Sequence, residues 1–449
     1  MMTGKINQKY DLNSVTIEIF IEAERQGDYI TLPFEVPPHT AALNLRYRYA
    51  RHSHPETKTR AGLFTGREQI NVIDLGIIAP DGSQAGASGS DKTEISISES
   101  HATPGYRAMS LTPGTWQILI GAYRVAPQGV QVTYELEFIP KAMRLLKGDL
   151  HTHTLASDGV LTLEELGSHA LRHDLNFVAV TDHNQMVSKD ALPDIAGLTM
   201  IPGVEWSHYL GHANFIGVDQ PYDGPYFTNN LAEARKIFAT ARERGALITL
   251  NHPFEESCPW AFELDALPFD VLEIWNGPMR ESNLRSLALW QGLLAEGKKV
   301  PICGGSDYHR DRLFQILGGP TMCVYAQSNA ASDILAAVRS GCGFITFSPE
   351  GPTLDMRCGD ARMGESLTFT GGQVVNLDFG DLHKGDILKL ITPDDIVDFF
   401  TAPMDGEYRC ELPVAAPGFM RVEIWRTFLP GVPPLPALIS NPIYFDPAM

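Results

Sequence analysis

Cysteine is scarce in this chain: six in 449 residues, at 258, 303, 323, 342, 358 and 410, with no C-x-x-C pair among them. That excludes a disulfide framework. Several lie in apolar strand-like runs, such as Val300-Pro301-Ile302-Cys303, which marks them as buried thiols of a reducing compartment. No apolar run reaches membrane-spanning length, and the opening residues 1–8 carry no apolar leader core. The expectation is a cytoplasmic protein with no membrane partner. Basic clusters are absent too, and a net charge of −19 repels phosphate backbones, which argues against a nucleic-acid partner. Nor does a G-x-S-x-G, H-E-x-x-H or G-x-x-x-x-G-K-[ST] match occur, so serine-nucleophile, zincin and P-loop chemistry lose their cheapest signals. None of these features fixes an oligomeric state.

What is present is an ordinary globular composition, 44% hydrophobic and 20% charged, in a chain too long for one core. Residues 1–143 alternate apolar and polar positions in short runs (15–21, 42–49, 72–78, 94–97, 115–123, 130–138), broken by turns such as Pro80-Asp81-Gly82-Ser83. That spacing predicts an all-β sandwich, jelly-roll-like. Its histidines, 39, 52, 54 and 101, lack ligand spacing and read as surface residues.

From 144 to 350 the pattern becomes strand–helix–strand. Strands are expected at 145–150, 177–181, 199–205, 247–251, 271–275, 300–304 and 343–347, with helices at 163–172, 231–244, 284–296 and 331–339. Seven strands so arranged predict an α/β parallel sheet or barrel. Two extra runs, 214–218 and 321–325, are expected in local hairpins. Residues 351–449 return to a β pattern and are expected to form a small β-rich domain.

Metal-type ligands gather where those strands end. His151 and His153 stand two apart, so in extended chain both imidazoles face the same way. Later strands end in Asp182-His183, Glu205, His252 and Asp307-Tyr308-His309, with His212 shortly after the third. Nine of the 14 histidines lie between 151 and 309. Strand carboxyl ends are where a parallel barrel assembles its site. His169, His173 and His208 lack that placement and read as structural.

The set His151-Thr152-His153, Asp158, Thr181-Asp182-His183, Gly203-Val204-Glu205, Gly211-His212, Asn251-His252-Pro253 and Ser306-Asp307-Tyr308-His309 resembles the motifs of the PHP (polymerase and histidinol phosphatase) metallohydrolases. The resemblance spans roughly residues 144–350 and is nearest to the CehA/McbA branch. It implies a distorted seven-stranded (β/α)7 barrel holding two or three divalent ions: manganese, zinc or iron. His151, His153, Glu205 and Asp307 would hold one. Glu205 would bridge to a second, completed by His212 and His252. Asp158, His183 and His309 would hold a third. Many members carry His where Asp158 stands, and the carboxylate makes that site harder and more anionic. The resemblance places the reactive metal-bridging hydroxide beside Glu205, Asp307 and His309.

The function so implied is a metal-dependent hydrolase of a small molecule, first a phosphomonoesterase or phosphodiesterase. The second expectation is a carbamate, ester or amide hydrolase of the CehA/McbA type, with Trp206 and Trp275 receiving an aromatic leaving group. Asn184, Trp206, Asn276, Arg280 and Tyr308 lie near the same loop ends and are candidate substrate contacts. Asp182 could orient a ligand imidazole or cap a helix. A binding protein with an idle barrel would need a degraded ligand set, and all nine positions carry competent donors.

Overall fold

Two sequence periodicities divide the chain. A computed structural model of the protein describes residues 6–11, 13–52 and 69–448; the opening residues 1–5 and His54 lie outside them. The chain falls into two compact units, Met1–Ala142 and Met143–Met449.

In the first unit, period-two alternation buries one face of the central strands. Ser14–Ile21 turns Val15, Ile17, Ile19 and Ile21 inward. Ile6–Asp11, Ser14–Ile21, Val130–Pro140, Thr40–Tyr49 and Glu94–Ser98 form one antiparallel sheet. Tyr29–Val36, Gly114–Arg124, Val72–Ile78 and Gln84–Ser88 form the other. Ile17, Leu45 and Leu136 from the first share a core with Phe34, Leu75 and Trp116 from the second, which makes a sandwich.

The second unit opens with β1 (Arg144–Asp149), α1 (Leu163–Arg172), β2 (Phe177–Ala179), β3 (Thr199–Ile201), β4 (Gly203–His208) and β5 (Gly211–Ile216). It continues through α2 (Leu231–Glu243), β6 (Leu247–Leu250), β7 (Val271–Asn276), α3 (Glu281–Ala295), β8 (Ile302–Gly305), β9 (Thr321–Ala326), α4 (Ala331–Ser340) and β10 (Gly343–Thr346). Thr162 caps α1 as its sequence foretells: its hydroxyl accepts from Glu165 N–H at 3.2 Å, and Glu165 returns a carboxylate to the Thr162 N–H at 2.9 Å. β1, β2 and β3 pair in parallel, and so do β6, β7 and β8. Both β6 and β7 are buried at every position, as covered parallel strands are.

The arrangement departs from a seven-stranded parallel barrel in three places. The run 199–205 is two strands, because Pro202 has no N–H to give a ladder. β3 extends the first parallel block, while β4 pairs antiparallel with β5. β9, expected in a local hairpin, sits antiparallel between β1 and β10. β10, expected as the seventh parallel strand, is antiparallel to β9 on one edge and to Leu435–Ser440 on the other. An apolar run buried on both faces reads the same whichever way it points, so its sequence does not reveal strand sense.

Two sheets result. One runs β3-β2-β1-β9-β10 and continues through Leu435–Ser440, Gly418–Arg426, Ile387–Ile391 and Ile396–Thr401. It therefore crosses the domain boundary expected at residue 350. The other runs β4-β5-β6-β7-β8. Isolated parallel bridges tie the two, Thr152 past the end of β1 to Tyr308 past the end of β8, and His183 past the end of β2 to Glu205 within β4. Among the described residues no helix is long and apolar enough to cross a membrane.

Candidate metal centre

Those two bridges bring the carboxyl ends of β1, β2 and β8 against β4, and the expected ligands meet there. His151 and His153 extend β1 on one face and are fully buried. His183 follows β2, Glu205 lies on β4 opposite Asn214 and His212 on β5 opposite Ser207, His252 follows β6, and Asp307 and His309 follow β8. All nine expected ligands fall into overlapping clusters.

The innermost cluster joins His151, His153 and Asp307, whose ligand atoms lie within 4.8 Å of one another. His151 Nε2 is 3.3 Å from Glu205 Oε1 and 3.5 Å from Asp307 Oδ1. His153 Nε2 is 3.5 Å from Glu205 Oε2 and 3.0 Å from Asp307 Oδ1. Donors ~2.0–2.1 Å from a tetrahedral zinc stand ~3.4 Å apart, so these spacings match the edges of a coordination shell. His151 Nε2, His153 Nε2, Glu205 Oε2 and Asp307 Oδ1 are buried with no hydrogen-bond partner. Buried polar atoms are normally satisfied. Four that are not, converging from three strand ends, fit a cation.

Glu205 also reaches the second cluster, with Oε1 3.1 Å from His212 Nδ1 and 3.4 Å from His252 Nε2. The third cluster gathers His153, Asp158, His183 and His309. Asp158 Oδ1 lies 3.2 Å from His309 Nε2 and 3.8 Å from His183 Nε2, and this is the solvent side, since the Asp158 side chain is 59% exposed. His183 Nδ1 turns back to Glu205 Oε2 at 2.8 Å and Ser207 Oγ at 2.7 Å.

The electrostatics favour positive charge at this point. Burial would push His151 down, but Glu205, Asp307 and Glu273 outweigh it and hold the imidazole well above its ordinary pKa. Burial opposes ionisation of Glu205, yet the surrounding imidazoles, His151 first and then His183 and His212, hold its carboxyl well below the usual range. Asp307 is likewise held low, against its burial, by His151 and His153. A divalent ion would satisfy the same carboxylates while leaving the imidazoles neutral as ligands need to be.

Backbone strain gathers here as well. His252, Asp307 and Asn184 have φ of 27°, 50° and 48°, a region that costs non-glycine residues energy and recurs at functional sites. Gly305 permits the closest approach: a Cβ there would stand 2.4 Å from His151 Cβ and 2.9 Å from Glu273 Oε1.

The expected substrate contacts fare differently. Trp206 and Tyr308 are buried at 0% and 1% exposure and cannot line an open pocket. Trp206 donates to Tyr226 O at 2.9 Å and packs on Phe238, and Tyr308 belongs to the core around Leu166 and Leu175. Trp206 neighbours Glu205 within β4, so it points to the opposite face. Trp275 is buried too, which removes the aromatic acceptor for a leaving group. Asn276 is buried, and its amide donates to Glu273 Oε2 at 3.2 Å and Asp307 Oδ2 at 3.4 Å, so it holds acids instead. Asn184 is exposed and clasps the Ser207 backbone from both sides. Arg280 is at the rim, its guanidinium 3.2 Å from Glu255 and its Nη2 3.3 Å from where a Cβ on Gly277 would be.

Sequence reasoning gave no site role to Glu273, Asn251 or Asp149. Asn251 donates to Glu205 Oε1 at 2.9 Å. Asp149 accepts from the N–H groups of His151, Ser306 and Gly318, and burial pushes its carboxyl up to about 6. Asp182 neither orients an imidazole nor caps a helix; it accepts from Thr154 N–H, Thr154 Oγ1 and Ser157 Oγ and so fixes the loop after β1. His169, His173 and His208 stay outside the clusters, His208 stacking on Trp206 at 5.3 Å.

No family model matches the chain. Over 80 residues, 16% of its length, it is 35% identical to the 5'-3' exoribonuclease Rnm of Salmonella typhimurium. The chain spans 27% of the length of that curated relative. Among solved structures it is similar to a two-domain protein from Bacteroides vulgatus ATCC 8482 containing a predicted PHP-like metal-dependent phosphoesterase. That likeness has 16% identity, a TM-score of 0.37, and covers 66% of this chain and 95% of the other. It is also similar to an amidohydrolase from Chromobacterium violaceum solved with bound sulfate and no metal: 15% identity, TM-score 0.25, 36% of this chain and 87% of the other.

Proposed function

We propose that this protein is a metal-dependent hydrolase of a small phosphate mono- or diester, with divalent ions held by His151, His153, Asp158, His183, Glu205, His212, His252, Asp307 and His309. The observation that carries this reading is the convergence of four unpartnered buried donor atoms, from His151, His153, Glu205 and Asp307, beside two further clusters that share Glu205 and His153. Adjacent ions in such a site, when bound, acidify a water toward a pKa of ~7 and neutralise charge on the attacked and leaving oxygens.

The chain's own residues do the rest. Glu205 is held between two clusters through Oε1, which accepts the Asn251 amide and lies 3.1 Å from His212 Nδ1, and this leaves Oε2 turned to the inner cluster. His309 donates Nδ1–H to Asp307 O at 2.8 Å, since a carbonyl only accepts, and this leaves Nε2 bare toward Asp158 on the open side. That nitrogen is the one His309 would offer to an ion of the third cluster. Arg280 stands at the rim, where its guanidinium suits an anionic ester. A phosphodiester is also what the curated relative's name, exoribonuclease, implies for that protein. The acidic chain, at −19, favours a small ester over a polymer.

The test is a panel of phosphate monoesters and diesters, run beside aryl carbamates and carboxylic esters, with protein loaded in turn with manganese, zinc and iron. Turnover of phosphate esters alone is the expected result. Carbamate or ester turnover without phosphate turnover retires the phosphoesterase reading.

A further inference from the structure

Strand β7 is buried at every position and apolar but for Glu273 and Asn276. A carboxylate in the centre of a covered parallel strand is costly unless it is satisfied. Glu273 is satisfied by the site itself. Its Oε1 lies 3.0 Å from His151 Nδ1. Its Oε2 accepts the His252 backbone N–H at 3.1 Å and the Asn276 amide at 3.2 Å. Asn276 in turn reaches Asp307 Oδ2 at 3.4 Å. One side chain thus touches the ring of one expected ligand, the strained backbone of a second, and through one amide a third.

We infer that Glu273 is a positioning residue that sets which nitrogen of His151 is free to bind a metal. This rests on the metal-hydrolase reading above. A carboxylate oxygen accepts, so the proton of a neutral His151 sits on Nδ1 and the lone pair is left on Nε2. Nε2 is the atom that faces Glu205 and Asp307 and has no hydrogen-bond partner. The carboxylate also makes the imidazole a stronger donor and pins its plane, as buried acids behind metal-bound histidines do. Gly305 completes the arrangement by leaving room for ring and carboxylate side by side.

Glu273→Gln keeps the volume but not the acceptor pair. If the amide oxygen takes His151 Nδ1–H, its NH2 is forced against two other N–H donors. Zinc affinity, measured by competition with a chromophoric chelator on the full chain, should fall about 10- to 100-fold. The visible bands of the cobalt-loaded protein should shift, because the ligand's orientation and basicity change. Equal zinc affinity with superimposable cobalt bands overturns the inference and leaves the metal site standing. Weaker zinc binding with superimposable cobalt bands also overturns it, since lost fold stability alone then explains the loss. If the unaltered protein takes up neither zinc nor cobalt, the metal reading itself is retired and this inference with it.

Discussion

His153 Nε2 and Asp307 Oδ1 lie 3.0 Å apart in the buried centre of the site, yet neither makes a hydrogen bond of acceptable geometry. Two such atoms left facing each other describe an edge of a shell whose centre they share. Asp307→Ala and His252→Ala are each expected to lower turnover by more than ~100-fold. Circular dichroism should show the fold retained, because both side chains point into the site and not the core. Full activity in either variant would contradict the assignment.

Asp158 stands apart from the other ligands, at the open side and 59% exposed. Asp158→Ala should remove about one equivalent of metal per chain by elemental analysis and leave the inner cluster loaded. Unchanged metal content would show that the third cluster holds no ion.

Gly305→Ala tests the crowding between β8 and β1. A methyl placed 2.4 Å from His151 Cβ must displace that histidine or the strand behind it. Overpacking of this kind costs ~1–3 kcal/mol, readable in the urea midpoint of the metal-free protein. Metal content should fall as well.

Chelation should destabilise the protein by mass action. With free metal at a hundred times Kd, binding contributes about 2.7 kcal/mol, and that increment disappears in excess chelator. Calorimetry of loaded and stripped protein measures it directly. A melting temperature indifferent to chelator would mean no ion is held.

The cysteines offer a probe of packing, with Cys258 at the site itself, its Sγ 3.8 Å from His252 Nδ1. Burial pushes the thiol of Cys323 up to about 12 and that of Cys342 up to about 11, so both stay protonated at pH 8. Cys303 and Cys358 are buried as well, whereas Cys258 and Cys410 are half-buried. A thiol reagent at pH 8 should label Cys258 and Cys410 first, and the other four only in denaturant. Rapid labelling of Cys323 in the native protein would show that the sheet opens.

The convergence of the donors at the site was legible in the sequence because metal chemistry restricts residue type and strand geometry restricts spacing. His151 and His153 sit two apart, as do Asp307 and His309, and the resemblance to a known family supplied the rest. Trp206 and Tyr308 were misplaced, the first for a reason the same rule could have given. If Glu205 faces the site from a strand, Trp206 faces away, whereas the turn of backbone at Asp307, with φ of 50°, that buries Tyr308 has no such mark. Glu273 carried a signal too, a lone acid in Val271-Leu272-Glu273-Ile274-Trp275, but nothing local says which partner neutralises it. Strand sense was the least visible. β9 and β10 are apolar on both faces, and only their long-range partners decide that they run antiparallel. Pro202 was a plain mark of interruption inside a run taken as one strand.

Because β10 hands its outer edge to Leu435–Ser440, the tail is no detachable ornament. A chain cut after residue 350 would present that edge bare, with unpaired amides and carbonyls beside Phe344 and Ile345, a template for sticking to copies of itself. Anyone trimming this protein should keep the last hundred residues with the sheet they complete.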